Sequence, residues 1–118
     1  MKAAIIALML MINTITPQAN AQIKANIDQW ELIGECRITC YCQECNDGSG
    51  HESSSGKYLE YGDCACNFLP IGTVVSVEGE EFTVVDTCGI DNTIDIFIDT
   101  EECNCNLLEY RKVAIKRD

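Results

Sequence analysis

Two aspartates lie next to apolar runs and are the best candidates for catalytic groups. Asp86 follows the run Phe82–Val85, and Asp95 lies inside the run Ile94–Ile98. Carboxyl groups can act as general acids and bases when apolar surroundings hold their proton near neutral pH. A second interpretation of Asp95 stays open, because the alternation of a strand would also place it on the solvent face.

Cysteines form the second group of chemically active residues. The nine are Cys36, Cys40, Cys42, Cys45, Cys64, Cys66, Cys88, Cys103 and Cys105. Three C-x-C pairs recur at 40/42, 64/66 and 103/105. Because residues i and i+2 of a strand face the same side, two such strands could be doubly cross-linked. An odd number leaves at least one thiol free, paired between chains or bound to a ligand, and the spacing does not fix the connectivity.

A metal site is the rival interpretation of the cysteines. The segment Cys42–Cys45 has C-x2-C spacing, and His51, the single histidine, follows it. Zinc sites usually need a second well-spaced pair of ligands, which is not evident in this sequence. Disulfides are therefore favoured, and the sequence predicts no metal and no cofactor. His51 itself lies in a segment rich in Gly and Ser and is predicted to be a solvated loop residue.

The first 21 residues have the three-part build of a secretory signal peptide. A positive start, Met1-Lys2, precedes the apolar run Ala3–Ile12, and Ala19-Asn20-Ala21 is a small-x-small cleavage signal. The apolar run is too short to span a bilayer. We therefore expect a secreted protein, extracellular or in the cell wall, without a stable membrane anchor. Its cysteines would meet an oxidising environment.

The charge balance excludes two classes of partner. The chain has 8 Lys and Arg against 19 Asp and Glu, for a net charge of -11. Nucleic acids and anionic lipid surfaces are bound through Lys and Arg, so neither is an expected partner. No Lys or Arg occurs between Tyr58 and Tyr110. A ligand of that stretch is expected to be neutral, cationic or metal-bridged. Composition does not indicate the oligomeric state.

Short β-branched and alternating segments dominate the rest of the chain. Strands are predicted at Arg37–Tyr41, Asp63–Cys66, Thr73–Val77, Glu81–Val85, Thr93–Ile98 and Lys112–Lys116. A capping pattern predicts one short helix over residues 100–109, and residues 46–57 read as a long loop. The expected organisation is a signal peptide (1–21), a lead-in (22–36) and a small closed all-β barrel (37–118).

Six segments occur in an order that is typical of a known family. They are Ile38–Tyr41, Ser54–Gly56, Gly62–Asn67, Leu69–Thr73, Val84–Gly89 and Ile94–Phe97. In this order the chain resembles the 3D (three-aspartate) domain family, over roughly residues 37–117. That family is similar to the barrel domain of membrane-bound lytic transglycosylase A and to stationary-phase muralytic proteins.

The resemblance implies a six-stranded double-psi β-barrel, disulfide-rich in this chain, that cleaves the glycan strands of peptidoglycan as a lytic transglycosylase. It assigns the acid/base role to Asp86 and a supporting catalytic role to Asp95. The residues implied in substrate binding are Tyr41, Asn67, Thr87 and Gly89. For Tyr41, packing at the end of a strand is an equally good interpretation. Two positions depart from the family pattern, since Asn67 stands in place of the first aspartate and Cys88 in place of a glycine.

Two other functions remain open at this stage. The same barrel could be a non-catalytic module that binds cell-wall glycans, which would fit the missing aspartate. Alternatively, the chain could be a cysteine-rich structural or metal-binding secreted protein.

Overall fold

The structure, a computed structural model, describes residues 16–98 and 108–117. The chain divides into two units, residues 1–30 and 31–118. In the first unit helix α1 spans Pro17–Asp28, and the side chain of Thr16 caps it by accepting from the backbone N–H of Ala19 at 3.1 Å. None of its residues is buried, and the expected cleavage point between Ala21 and Gln22 lies within it.

Strands make up most of the second unit. They are β1 (Trp30–Tyr41), β2 (Asp63–Ala65), β3 (Val74–Val77), β4 (Glu80–Asp86), β5 (Thr93–Phe97) and β6 (Glu109–Lys116), with a 3-10 turn at Gln43–Cys45. The six strands close into a barrel in the order β1-β5-β2-β4-β3-β6. The prediction of a small, closed, mostly β barrel of six strands is therefore confirmed.

Element boundaries differ from the sequence prediction at two places. Strand β1 begins at Trp30 rather than at Arg37, so the predicted lead-in contributes part of α1 and the start of β1. The helix predicted over residues 100–109 falls largely outside the described residues, and its last position, Glu109, opens β6. Within the described ranges, no helix is long and apolar enough to cross a membrane.

Parallel and antiparallel pairs alternate around the part of the barrel that concerns the site. Strand β1 runs parallel to β5, β5 antiparallel to β2, and β2 parallel to β4. Strand β3 is antiparallel to both β4 and β6. The hairpin between β3 and β4 turns at Glu78 and Gly79, whose φ angles of 52° and 88° suit a two-residue turn with positive φ at both positions.

Every strand contributes to the interior of the barrel. The cluster of buried residues consists of Cys36, Ile38, Cys64, Cys66, Val75, Phe82, Val84, Ile94 and Val113. Because neighbours along a strand point to opposite faces, the residues adjacent to these face outward.

A second buried cluster covers the outer face of four strands. It contains Tyr41, Leu59, Ala65, Val85 and Phe97. Leu59 comes from the segment that connects β1 to β2, and the other members come from β1, β2, β4 and β5. The β1–β2 connection, residues 42–62, therefore packs on the outside of the barrel, and the covered surface beneath it contains the site described next.

Candidate functional site

A row of four residues crosses four adjacent strands on this outer face. Thr39 is paired with Asp95, Asp95 with Ala65, and Ala65 with Asp86. Two strand spacings separate the aspartates, which places their Cα atoms roughly 10 Å apart. Ala65 lies between them and is buried in the second cluster.

A β-bulge brings Asp86 into this row. Val84 points into the barrel, so plain alternation would send Val85 outward and Asp86 inward. The pairing register shifts between Cys64 and Ala65, so that Ala65 pairs with Asp86 instead of Val85. Bulges next to active sites commonly re-aim a side chain in this way. The carboxyl group consequently lies under the β1–β2 connection rather than inside the barrel.

The Asp86 carboxyl group is 7% exposed and accepts three hydrogen bonds. Backbone N–H groups of Ser54 and Thr87 both donate to Oδ1, each at 2.9 Å. The hydroxyl of Tyr41 donates to Oδ2 at 3.1 Å. With Oδ1 occupied by two donors, Oδ2 is the oxygen that can exchange a proton. A hydroxyl can donate to the ionised form of Oδ2 or accept from the protonated form, so the Tyr41 contact suits both states.

Tyr41 is buried beside the carboxyl group and does not line the cavity described below. Its side chain is 6% exposed and its ring packs edge-on against Phe97, with centroids 5.3 Å apart. Burial first, and then the charge of Asp86, raises the pKa of the Tyr41 hydroxyl far above its ordinary value. Tyr41 therefore stays protonated and positions Asp86, and its covered ring has little surface to offer a sugar.

Asp95 lies in a different environment from Asp86. Its Oδ1 accepts a hydrogen bond of 2.8 Å from the hydroxyl of Thr39. Burial raises the pKa of Asp95, the Thr39 hydrogen bond opposes that rise, and the charge of Asp86 adds to it. Two carboxyl groups that share a poorly solvated surface disfavour simultaneous ionisation. Of the two residues, Asp95 is therefore the one whose protonated form burial and the neighbouring charge favour.

A polar cavity of about 430 Å³ opens onto Asp86. It is lined by Asn46, Asp47, Ser49, Glu52, Ser53, Ser54, Asp86 and Thr87. Its size falls in the range of small-molecule sites, and it presents carboxylates, hydroxyls and an amide without a basic side chain. Such a lining is suited to a neutral, hydroxyl-rich ligand.

The connection that lines the cavity is fixed by its own hydrogen bonds. The Asn46 side chain donates to the carbonyl oxygen of Gly50 at 2.8 Å, and the Ser53 hydroxyl donates to that of Lys57 at 2.7 Å. The ammonium group of Lys57 then lies 2.6 Å from Oδ2 of the buried Asp63 at the start of β2. These contacts hold the Ser54 N–H in place against Asp86.

The other residues predicted to bind substrate have different positions. Thr87 lines the cavity and supplies one of the two N–H donors to Asp86. Gly89 lies on the exposed bend that follows. Asn67 is not part of the cavity lining, and its side-chain amide donates to Oδ1 of Asp91 at 2.9 Å in an exposed contact.

Seven of the predicted disulfide cysteines lie within the described residues, and none of their sulfur pairs is at bonding distance. The sulfur atoms of Cys42 and Cys45 lie 3.4 Å apart. Cys103 and Cys105 fall outside the described residues. Burial, with smaller contributions from nearby acidic groups, raises the pKa of Cys64 to about 12. This thiol is neutral at pH 7 and does not supply a nucleophilic thiolate.

Sequence reasoning missed three contributors to the site. Thr39 shares a strand face with Tyr41, and the i, i+2 rule could have found it. The N–H of Ser54 could not be predicted as a donor to Asp86, because a backbone N–H does not depend on the type of residue. His51, expected to be solvated, packs its ring on Tyr58 and Phe97, and its Nδ1 lies 2.9 Å from the carbonyl oxygen of Leu59.

Across residues 16–98 and 108–117, no group of three or more His, Cys, Asp or Glu side chains is arranged to hold a metal ion. No protein-family model, curated protein or solved structure matches the chain.

Proposed function

We propose that this protein is a secreted enzyme of the lytic transglycosylase type, belonging to the 3D domain family, that cleaves peptidoglycan glycan strands. The observation that carries the proposal is the row of strand residues that contains Asp86 and Asp95, with Asp86 facing a polar cavity whose lining has no basic side chain. Asp86 lines the cavity and Asp95 does not, so Asp86 is the one of these two aspartates that meets the substrate.

One carboxyl group can complete the reaction without water. Asp86 donates its Oδ2 proton to the glycosidic oxygen, the C1–O bond breaks, and the leaving sugar departs as an alcohol. The same oxygen then takes the proton from the C6 hydroxyl of muramic acid as that hydroxyl bonds to C1. An internal anhydro ring forms, and Asp86 is protonated again. General acid–base catalysis in this form needs no second nucleophile.

The surrounding residues support the two states of Asp86. The N–H groups of Ser54 and Thr87 stabilise the carboxylate that forms after proton donation. Asp95 is the proposed supporting carboxyl group, in the same row of strand residues as Asp86. Tyr41 is a positioning residue for Oδ2.

The finer fold assignment is part of the same proposal. We infer a double-psi barrel because two parallel strand pairs, β1·β5 and β2·β4, are joined through the antiparallel contact of β2 with β5. Strands of a parallel pair cannot be joined by a tight turn, so the chain must cross over between them.

Disulfides and export also belong to the proposal. If residues 1–21 direct secretion, the cysteines reach an oxidising compartment and pair there. The approach of the Cys42 and Cys45 sulfurs supports such pairing near the site. Peptide mapping of the secreted, unreduced protein tests it, together with the expected N-terminus at Gln22.

The deciding experiment is incubation of the full chain with purified peptidoglycan, followed by mass analysis of the soluble products. Release of anhydro-muropeptides is the expected result. Products that carry one added water would indicate a hydrolase instead. Binding without any release would select the non-catalytic glycan-binding module.

A further inference from the structure

A second cavity, of about 470 Å³, adjoins the first one. It is lined by His51, Glu52, Gly56, Lys57 and Tyr58. Glu52 lines both cavities, so the cavity at Asp86 and the cavity at Tyr58 are neighbours on the surface. A ligand longer than one sugar that is cleaved at Asp86 would extend over this second cavity.

Tyr58 presents an ordered aromatic face at this position. Its side chain is 67% exposed, although it is a large apolar ring. One face stacks on the imidazole of His51, with centroids 4.4 Å apart and the planes inclined by 6°. The stack leaves the opposite face of the tyrosine ring available to a ligand.

His51 is held rigidly beneath the tyrosine. Its Nδ1 lies 2.9 Å from the carbonyl oxygen of Leu59, and its Nε2 is hydrogen-bonded to the side chain of Gln43. The imidazole also contacts the buried ring of Phe97, at 5.4 Å between centroids. The isolated β-bridge between Glu52 and Tyr58 fixes the backbone on either side. An aromatic platform that is already ordered loses little conformational entropy when a ligand stacks on it.

The charges of this cavity favour an uncharged ligand. Lys57 contributes a cation, but its ammonium group is paired with Asp63 at 2.6 Å and with Glu60 at 3.2 Å. Glu52 provides a carboxylate that can accept hydrogen bonds from hydroxyl groups. An apolar ring face beside a hydrogen-bond acceptor matches the chemistry of a neutral pyranose, which has one C–H face and a rim of hydroxyls.

We propose that Tyr58, stacked on His51, forms a sugar-binding subsite next to the cleavage position, with Glu52 as its hydrogen-bond acceptor. This inference rests on the proposed function for the identity of the ligand, a neutral pyranose unit of a glycan strand. It adds a determinant of specificity, because productive binding then requires a glycan strand that is long enough to reach from Asp86 to Tyr58.

The test compares the wild-type chain with Tyr58→Ala, Tyr58→Phe and Tyr110→Ala. Tyr110 is the matched control, because it is 53% exposed and lies on strand β6 away from both cavities. The probe is a soluble glycan octasaccharide of alternating N-acetylglucosamine and N-acetylmuramic acid whose lactyl carboxyl groups are amidated, so that it is uncharged. The amidated disaccharide is the short probe. Calorimetry measures Kd, and product release measures kcat and KM.

Tyr58→Ala is expected to weaken octasaccharide binding about tenfold and to raise KM with kcat unchanged. Tyr58→Phe and Tyr110→Ala should match the wild type, and the disaccharide should not distinguish the variants. Should Tyr58→Ala fold poorly, the NMR signals of the Tyr58 and His51 rings in the wild type provide the second measurement. They should shift on titration with the octasaccharide.

Failure of this inference and failure of the proposed function give different results. Wild-type cleavage with no effect of Tyr58→Ala, or unmoved ring signals, overturns the subsite alone. Tyr58-dependent binding in a wild type that releases no product supports the subsite and contradicts the enzyme.

Discussion

At the scale of single residues, the proposed acid–base reaction depends on which oxygen of Asp86 exchanges the proton. Both backbone donors bind Oδ1, and only the Tyr41 hydroxyl contacts Oδ2 among the described hydrogen bonds. Asp86→Asn keeps the volume and an acceptor oxygen but cannot donate and then recover a proton. We expect product release from peptidoglycan to fall by about 10²–10⁴-fold, measured by the appearance of anhydro ends.

Asp91→Asn is the matched control for that change, because it removes one charge at an exposed position. It should retain full activity. An active Asp86→Asn variant would mean that another residue is the acid.

Asp95 contributes a pH-dependent term to stability. The pKa of Asp95 is raised above its ordinary value of 3.8, chiefly by burial. At a pH between the ordinary and the raised pKa, the folded state therefore retains a proton that the unfolded chain has released. The contribution of Asp95 to the free energy of unfolding is present below the ordinary pKa and is lost as pH rises through the raised pKa. Asp95→Asn cannot ionise and keeps an acceptor for Thr39. We expect it to unfold at higher urea concentration than the wild type at pH 7.

The higher urea resistance of Asp95→Asn should shrink at about pH 3, where the wild-type Asp95 carboxyl group is protonated in both the folded and the unfolded state. An advantage of equal size at both pH values would show that ionisation of Asp95 is not its source.

At the scale of elements, hydrophobic alternation predicts the barrel but not the position of the site. The runs at Thr73–Val77 and Glu81–Val85 alternate cleanly and form β3 and β4 within one residue. The register shift opposite Ala65 has no such signal, because a bulge depends on how two strands meet and not on either strand alone. Alternation alone would therefore place Asp86 inside the barrel.

The β3–β4 turn carries backbone strain that can be relieved. Glu78 has a φ of 52°, a conformation that suits Asn or Gly better than a residue with a long side chain. Glu78→Asn produces the Asn-Gly sequence preferred in this hairpin. We expect it to raise the free energy of unfolding by about 1 kcal/mol in urea titration.

Glu78→Gln provides the control for the charge. It removes the same charge and the ion pair with Arg111, whose Nε lies 3.1 Å from the Glu78 carboxylate, but leaves the strain in place. Equal stabilisation by both variants would assign the gain to charge and not to the backbone.

At the scale of the whole molecule, most of the charged side chains are acidic. The net charge of -11 means that acidic groups repel one another in the folded state. Salt screens this repulsion, so the melting temperature should rise between about 10 mM and about 500 mM NaCl. Choline chloride of equal ionic strength should give the same rise. A fall in melting temperature with salt would mean that the few ion pairs outweigh the repulsion.

The row from Thr39 to Asp86 also bears on how the protein matures. Neighbours in this row are far apart in sequence, since the hydrogen-bonded Thr39 and Asp95 are separated by 56 positions. Loop closure over such distances is slow compared with local contacts, and neither carboxyl group acquires its neighbours until the strands have met. Under the proposed function, a partly folded chain would therefore have no lytic centre. The order of folding would then keep the activity from appearing before the barrel has closed.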